Sequence, residues 1–140
     1  MKRKKRTEIL IEGSHELAKS LANEIEQKYS VSSLQEPEHG LVMLKVRETS
    51  KKSLFYLGEV LVTECKAKVE GKIGIGIVKG DFPELAYHLA VVDAAFLGNL
   101  PETKSWAGIL ESEKQYLEEK RKAKNEAILK TKVSFETMDV

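Results

Sequence analysis

The sequence holds a single cysteine, Cys65, so no disulfide can close within the chain, and this usage fits a reducing cytoplasm. It has no apolar run approaching the roughly 20 residues that span a bilayer, so no membrane association is expected. It has almost no net charge. Its 23 Lys and Arg stand against 22 Asp and Glu, leaving +1, so no overall field draws the chain to nucleic acid or a lipid surface. Its three histidines, His15, His39 and His88, share no metal-ligand spacing and have no second cysteine to join them, so neither zinc nor another cofactor is expected. The opening "MKRKKR" could serve as the n-region of a signal peptide, but the "ILI" that follows is too short for an h-region. Residues 1–13 therefore read as a basic, flexible, solvated tail.

What is present suffices for one ordinary domain: 140 residues, 41% of them apolar, can furnish a core, and we place it at residues 14–130. Leu17, Ala18, Leu21, Ala22 and Ile25 recur at helical spacing between Ser14 and Tyr29, with Ser14 at the N-cap. After a turn-like "QEPEHG", the segment "LVMLKVRE" reads as a strand with Val42, Leu44 and Val46 on one face. A longer strand follows, alternating Cys65, Ala67 and Val69 against Lys66, Lys68 and Glu70. Traced back at period two, its dry face runs through Thr63, Leu61, Glu59, Leu57 and Phe55. Either Gly58 forms a bulge that turns Glu59 outward, or the Glu59 carboxylate is held inside for a hydrogen-bonding role.

The glycine-rich "GKIGIGIVKGDFPE", residues 71–84, raises the question of a phosphate loop. The P-loop pattern fails because Lys79-Gly80 leads into Asp81 rather than a hydroxyl residue, and the dinucleotide fingerprint fails because three residues separate Gly76 from Gly80. Asp81 and Glu84 have capping-box spacing before Pro83, so a helix should start at once, with acids where a phosphate would bind. Gly71 suits a hairpin, and 72–79 reads as its second strand, with Ile73, Ile75 and Ile77 facing the core and Gly74 and Gly76 leaving bare backbone on the other side for a neighbouring chain. On the helix that follows, to about Leu97, Ala86, Ala90, Ala94 and Asp93 form a small-residue strip suited to close approach to a sheet. Asp93 is the expected buried ionisable group, bonding a neighbouring backbone or anchoring a partner's arginine.

A second long helix is expected from Thr103 to about Lys130. Its seam of Trp106, Leu110, Leu117, Ala127 and Ile128 is thin and interrupted by charge, so the helix should project or pack on a partner. The closing "KVSFETMDV" places Val133, Phe135 and Met138 in an extended, apolar tail at 131–140 suited to partner docking. The fold class is therefore α+β: an antiparallel sheet flanked by helices, with a long C-terminal helix and an extended tail.

In their order, "HGLVMLKVR", "FYLGEVLVTECKAKVEGKIGIGIVKGD", "AYHLAVVDAA" and "KVSFETM" resemble the PhnG family, a subunit of the bacterial carbon-phosphorus lyase machinery. The resemblance implies a structural subunit, assembled with PhnH-like, PhnI-like and PhnJ-like proteins and inactive alone. With PhnH, PhnI and the ATPase-like PhnL, such a subunit takes part in a transferase reaction of phosphonate catabolism. Methylphosphonate displaces adenine from ATP, giving α-D-ribose 1-methylphosphonate 5-triphosphate. The resemblance transfers no catalytic residue to a numbered position here. Glu59, Gly74, Gly76, Asp93, Val133, Phe135 and Met138 are the candidate partner-contact or structural positions. A reading from another class is a free-standing binding module that holds nucleic acid through "MKRKKR" and the lysines between Lys120 and Lys130; a steep fall of binding with salt would mark it.

Overall fold

The structure is a computed structural model; it describes the backbone of residues 1–47 and 54–138 and the side chains of 1–45 and 57–131. The chain is α+β. Helices α1 (Arg3–Glu12) and α2 (His15–Lys28) precede strands β1 (Val31–Arg47), β2 (Leu54–Val69) and β3 (Lys72–Lys79), and helices α3 (Pro83–Leu97) and α4 (Glu102–Met138) follow. The three strands form one antiparallel sheet in the order β1-β2-β3. β2 and β3 are joined by a two-residue turn in which Glu70 and Gly71 both have positive φ, 48° and 78°, the conformation a tight hairpin demands.

β1 starts earlier than its sequence suggests. "QEPEHG" lies within the strand, because register shifts between Ser33 and Gln35 and between Gln35 and Glu38 absorb the irregular residues as bulges, and Pro37 is tolerated on an edge strand. A further shift between Leu44 and Lys45, opposite Gly58, places a bulge in β2 at Leu57. A bulge does form near Glu59, at Leu57 rather than Gly58, but it does not turn Glu59: the residue keeps the face of Leu61 and Thr63 and is exposed because nothing among the described residues covers that face there. The dry row of β2 is shorter than period two implied: Thr63, Cys65, Ala67 and Val69 are buried, whereas Leu61 and Leu57 are exposed. Helical cover simply stops at Thr63. The side chains of Val46 and Phe55, also assigned to faces from sequence, lie outside the described residues.

α3 is the central element. Leu85, Ala86, Leu89, Ala90, Val91, Val92, Ala94 and Ala95 are all buried, because the helix has the sheet beneath it and α2 above it. Ala18, Leu21, Ala22 and Ile25 of α2 complete that layer, as their spacing predicts. At the end of α3, Phe96 meets Trp106 of α4 edge to face, with ring centroids 5.7 Å apart. The Trp106 indole is fully buried and donates to the Glu24 carboxylate at 2.9 Å. Leu110 is buried one turn on, Leu117 is half-buried, and every residue from Glu118 to Thr131 is exposed.

The sheet faces are inverted relative to the sequence reading. Gly74 and Gly76 are buried beneath α3, and Ile73, Ile75 and Ile77 are 38–49% exposed on the open face. A methyl group on Gly74 would collide with the Ala90 carbonyl and the Ala94 backbone; one on Gly76 would collide with the Ala86 carbonyl. Bare strand and alanine strip are two halves of one contact. Two other expectations need correction. Residues 3–12, expected within a flexible tail, form α1, because Ile9 and Leu10 are buried against the helical layer and Arg6 reaches a buried partner. The segment after Lys130, expected to be extended, continues α4 in helical backbone to Met138, since no proline or glycine after Gly108 halts a propagation that adds one hydrogen bond per residue.

The inverted faces are tested by stability. Gly76→Val should cost about 3 kcal/mol or more through overpacking, whereas Ile73→Thr on the open face should stay within about 0.5 kcal/mol. Urea unfolding of both variants reads the difference; the reverse order would restore the opposite orientation of β3.

Candidate functional site

The buried charge lies where α3 meets β3 and α1. Asp93 is 5% exposed and its carboxylate is fully engaged. Arg3 donates through Nε to Oδ1 at 2.9 Å and through Nη2 to Oδ2 at 2.6 Å, a two-pronged geometry that holds both partners' orientation. Arg6 Nη2 donates to Oδ1 at 3.1 Å, and the backbone N–H of Ile75 donates to Oδ2 at 3.0 Å. The Arg6 guanidinium also lies 3.9 Å above the Phe96 ring. Burial lowers the Arg6 pKa, the Asp93 charge pulls it back up, and Arg3 lowers it slightly. Two of the bases in "MKRKKR" are thus paired within the molecule, Arg6 buried and Arg3 half-exposed. Of the two alternatives the sequence offers for Asp93, the backbone partner is present, and the arginines it anchors belong to this chain rather than to a partner. The signal was available in the spacing of Arg3, Arg6, Ile9 and Leu10, one face of a short helix.

The β3–α3 junction carries no phosphate cradle. Thr63 Oγ1 donates to the Gly80 carbonyl at 2.6 Å and accepts the Phe82 N–H at 3.1 Å, pinning the turn in which Gly80 adopts φ 94°. The expected capping box is not formed: Phe82 occupies the N-cap without a side-chain cap, and Asp81 instead meets His39 Nε2 at 2.7 Å. His15 and His88, distant in sequence, line one pocket of about 290 Å³ with Asp81 and Glu84. Burial lowers the His88 pKa. Among the described residues no three His, Cys, Asp or Glu side chains are grouped so as to hold a metal ion.

Cys65 is fully buried on the helix side of β2, with its Sγ 3.2 Å from the Gln35 carbonyl, and burial pushes its thiol up to about 11. That suits a packed side chain rather than a nucleophile.

The outward features are apolar. Beyond Val62 and Lys79, β1 and β2 continue without β3 as a two-stranded ribbon. Leu41, Met43 and Leu61 are exposed on one face of it, and Val42 and Leu44 on the other, all between 42% and 64%. A groove of about 710 Å³ runs between α1 and β3, floored by Thr7, Ile11, Ile75 and Ile77. Of the candidate positions, the structure brings together Gly74, Gly76 and Asp93 at one packing junction. It sets Glu59 apart on the ribbon; the side chains of Val133, Phe135 and Met138 lie outside the described residues.

A family model described as phosphonate metabolism protein PhnG matches residues 1–139. The chain belongs to the PhnG family. The match takes in α1, which the sequence resemblance left out, and it sets the chain in phosphonate metabolism. No curated protein matches it. For a PhnG-family chain, the sheet, the Asp93 cluster and the ribbon describe a molecule whose interior is satisfied and whose apolar surface is not. Among the described residues no helix is long and apolar enough to cross a membrane.

Two outcomes follow from the geometry. Asp93→Ala strands the buried Arg6 and should cost about 3–5 kcal/mol, whereas Arg3→Ala, at a half-exposed side chain, should cost about 1 kcal/mol or less, both read by thermal or urea unfolding. Because the Cys65 thiol is buried and its pKa raised, a disulfide reagent at pH 8 should leave it unmodified in the folded chain and react promptly once urea unfolds it.

Proposed function

We propose that this chain is a non-catalytic subunit of a carbon-phosphorus lyase complex, working in the cytoplasm beside PhnH-like, PhnI-like and PhnJ-like proteins. With PhnH, PhnI and PhnL counterparts it supports the transferase step in which methylphosphonate displaces adenine from ATP, giving α-D-ribose 1-methylphosphonate 5-triphosphate. Its part in that step is to order a PhnI-like surface, and ATP and the phosphonate are substrates of the assembly rather than of this chain alone.

The observation that carries this reading is the outer half of α4. From Glu118 to Thr131 every side chain is exposed, including Ile128 at 56% and Leu129 at 59%. Beyond Leu117 the helix extends about 30 Å at 1.5 Å per residue. A lone domain gains nothing from such a helix, whose isolated turns are marginal in water; a partner laid along it supplies the missing packing. Family membership points the same way, since PhnG-family chains belong to phosphonate metabolism. The nucleic-acid reading is weakened because two of the five leading bases, Arg3 and Arg6, are held by Asp93.

Co-expression with a PhnI-like protein, followed by affinity purification through a tag on this chain, tests the reading. The partner should co-purify through high salt, and deleting residues 132–140 should abolish capture while the unfolding midpoint stays unchanged. Failure of the intact chain to retain any PhnH-like, PhnI-like or PhnJ-like protein would sink the proposal.

A further inference from the structure

β3 covers only part of the outer edge of β2. The β2–β3 ladder runs from Val69 opposite Lys72 to Val62 opposite Lys79, and it closes where the Gly80 N–H donates to the Leu61 carbonyl at 2.8 Å. There the positive φ of Gly80 turns the chain away toward α3. On its other side β2 remains paired with β1 much further, as far as Leu54 opposite Arg47. From Leu61 back toward Leu57, β2 therefore has a neighbour on one side only among the described residues.

The direction of the free hydrogen-bonding groups follows from this ladder. In an antiparallel sheet the N–H and C=O of one residue point to the same neighbour, and successive residues alternate. Leu61 directs its carbonyl to the β3 side, so Val60, opposite Val42, turns to β1, and Glu59 turns outward again. The Glu59 backbone thus projects into the line that β3 has vacated. The side chains around it alternate as well: Leu61 and Glu59 with Leu41 and Met43 on the α3 side, and Val60 and Val42 on the open side. A two-stranded ribbon with apolar side chains on both faces is marginal in water until something covers it.

We infer that this vacancy is a strand-addition site: an extended segment of a partner subunit pairs with β2 where β3 leaves off, continuing its line. The inference rests on the reading of this chain as a subunit. A strand, rather than a helix, is specified because the open N–H and C=O of Glu59 lie side by side along the sheet edge, the arrangement of an antiparallel ladder pair, which extended backbone satisfies together. The segment is apolar at alternate positions, to lie beside Leu61 on one face and Val60 on the other, and it carries a lysine or arginine beside Glu59. A second copy of this chain is the poorer occupant. Its own Glu59 would be brought alongside this one, and like charges adjacent across a strand pair are destabilising. The bulge at Leu57 limits the added segment to a short register, so it restricts which strand can bind without closing the edge.

Residue-resolved amide exchange tests this, on the full chain alone and co-purified with a PhnI-like subunit. In the complex the Glu59 amide should slow by about tenfold or more, while the Val60 amide, already turned to β1, changes little. Glu59→Pro removes an outward N–H and leaves the β1 ladder intact, and it should weaken capture by about tenfold or more. Should that variant fail to fold, exchange in the unaltered chain decides. A complex that forms with Glu59 still exchanging at its free rate overturns the strand site while leaving the subunit reading standing. Protection of Glu59 that rises with concentration in the chain alone assigns the edge to a second copy and overturns the occupant. Absence of any complex is read separately, in the purification, and removes both readings.

Discussion

α3 lies so close to β3 that not even a methyl group fits at Gly74 or Gly76, and most of the architecture follows from that contact. Gly74 and Gly76 remove the side chains on the strand; Ala86, Ala90 and Ala94 reduce them on the helix. Two backbones can then approach closely, and dispersion between them replaces the side-chain packing a wider gap would need. The cost is that β3 sends its bulk elsewhere. Because side chains alternate along a strand, the isoleucines that share β3 with these glycines must face away from the helix. The open apolar column of Ile73, Ile75 and Ile77 is a direct consequence of the tight contact behind it.

Asp93 uses the same proximity. Only a helix this near the strand lets a short carboxylate reach the Ile75 N–H, which closes part of the outer edge of β3. The carboxylate must then be neutralised, and α1 supplies Arg3 and Arg6 for it. Glu8 and Glu12 of α1 in turn meet Arg121 of α4, so the N-terminal helix ties the sheet layer to the start of the projecting helix. The exposed members of this chain of contacts add little stability individually, while the buried Arg6–Asp93 pair would be costly to break. Its role is to fix where α1 sits.

The outcome is a molecule with a satisfied interior and three unsatisfied surfaces: the ribbon, the isoleucine column and the outer half of α4. For a member of the PhnG family, which acts in phosphonate metabolism, this combination is intelligible as the form of a subunit with surfaces left for neighbours. The features that looked chemical in the sequence have structural uses. The glycines receive a helix, Cys65 packs beneath it, and Asp81 holds His39 rather than capping α3 or yielding to a phosphate.

The α+β class, α2, the β2–β3 hairpin, the boundaries of α3, the thin seam of α4 and the burial of Asp93 were legible in the sequence, because each depends on local spacing or local backbone chemistry. Ala18, Leu21, Ala22 and Ile25 can share a face only on a helix, and Glu70-Gly71 suits one kind of turn. For α1 the sequence carries only the helical spacing of Arg3, Arg6, Ile9 and Leu10; what docks the helix, a carboxylate 87 residues from Arg6, is set by the tertiary structure. The bulged start of β1 was hidden for a related reason: the partner strand, not the residues of "QEPEHG", keeps it extended. The orientation of β3 was decided by tertiary structure alone. Period two divides "KIGIGIVK" into an isoleucine face and a glycine face, and hydrophobicity alone sends the isoleucines inward. Glycine, having no side chain, suits bare solvent and the closest helix contact equally well. Only the alanine strip of α3, brought over the sheet by the fold, distinguishes the two.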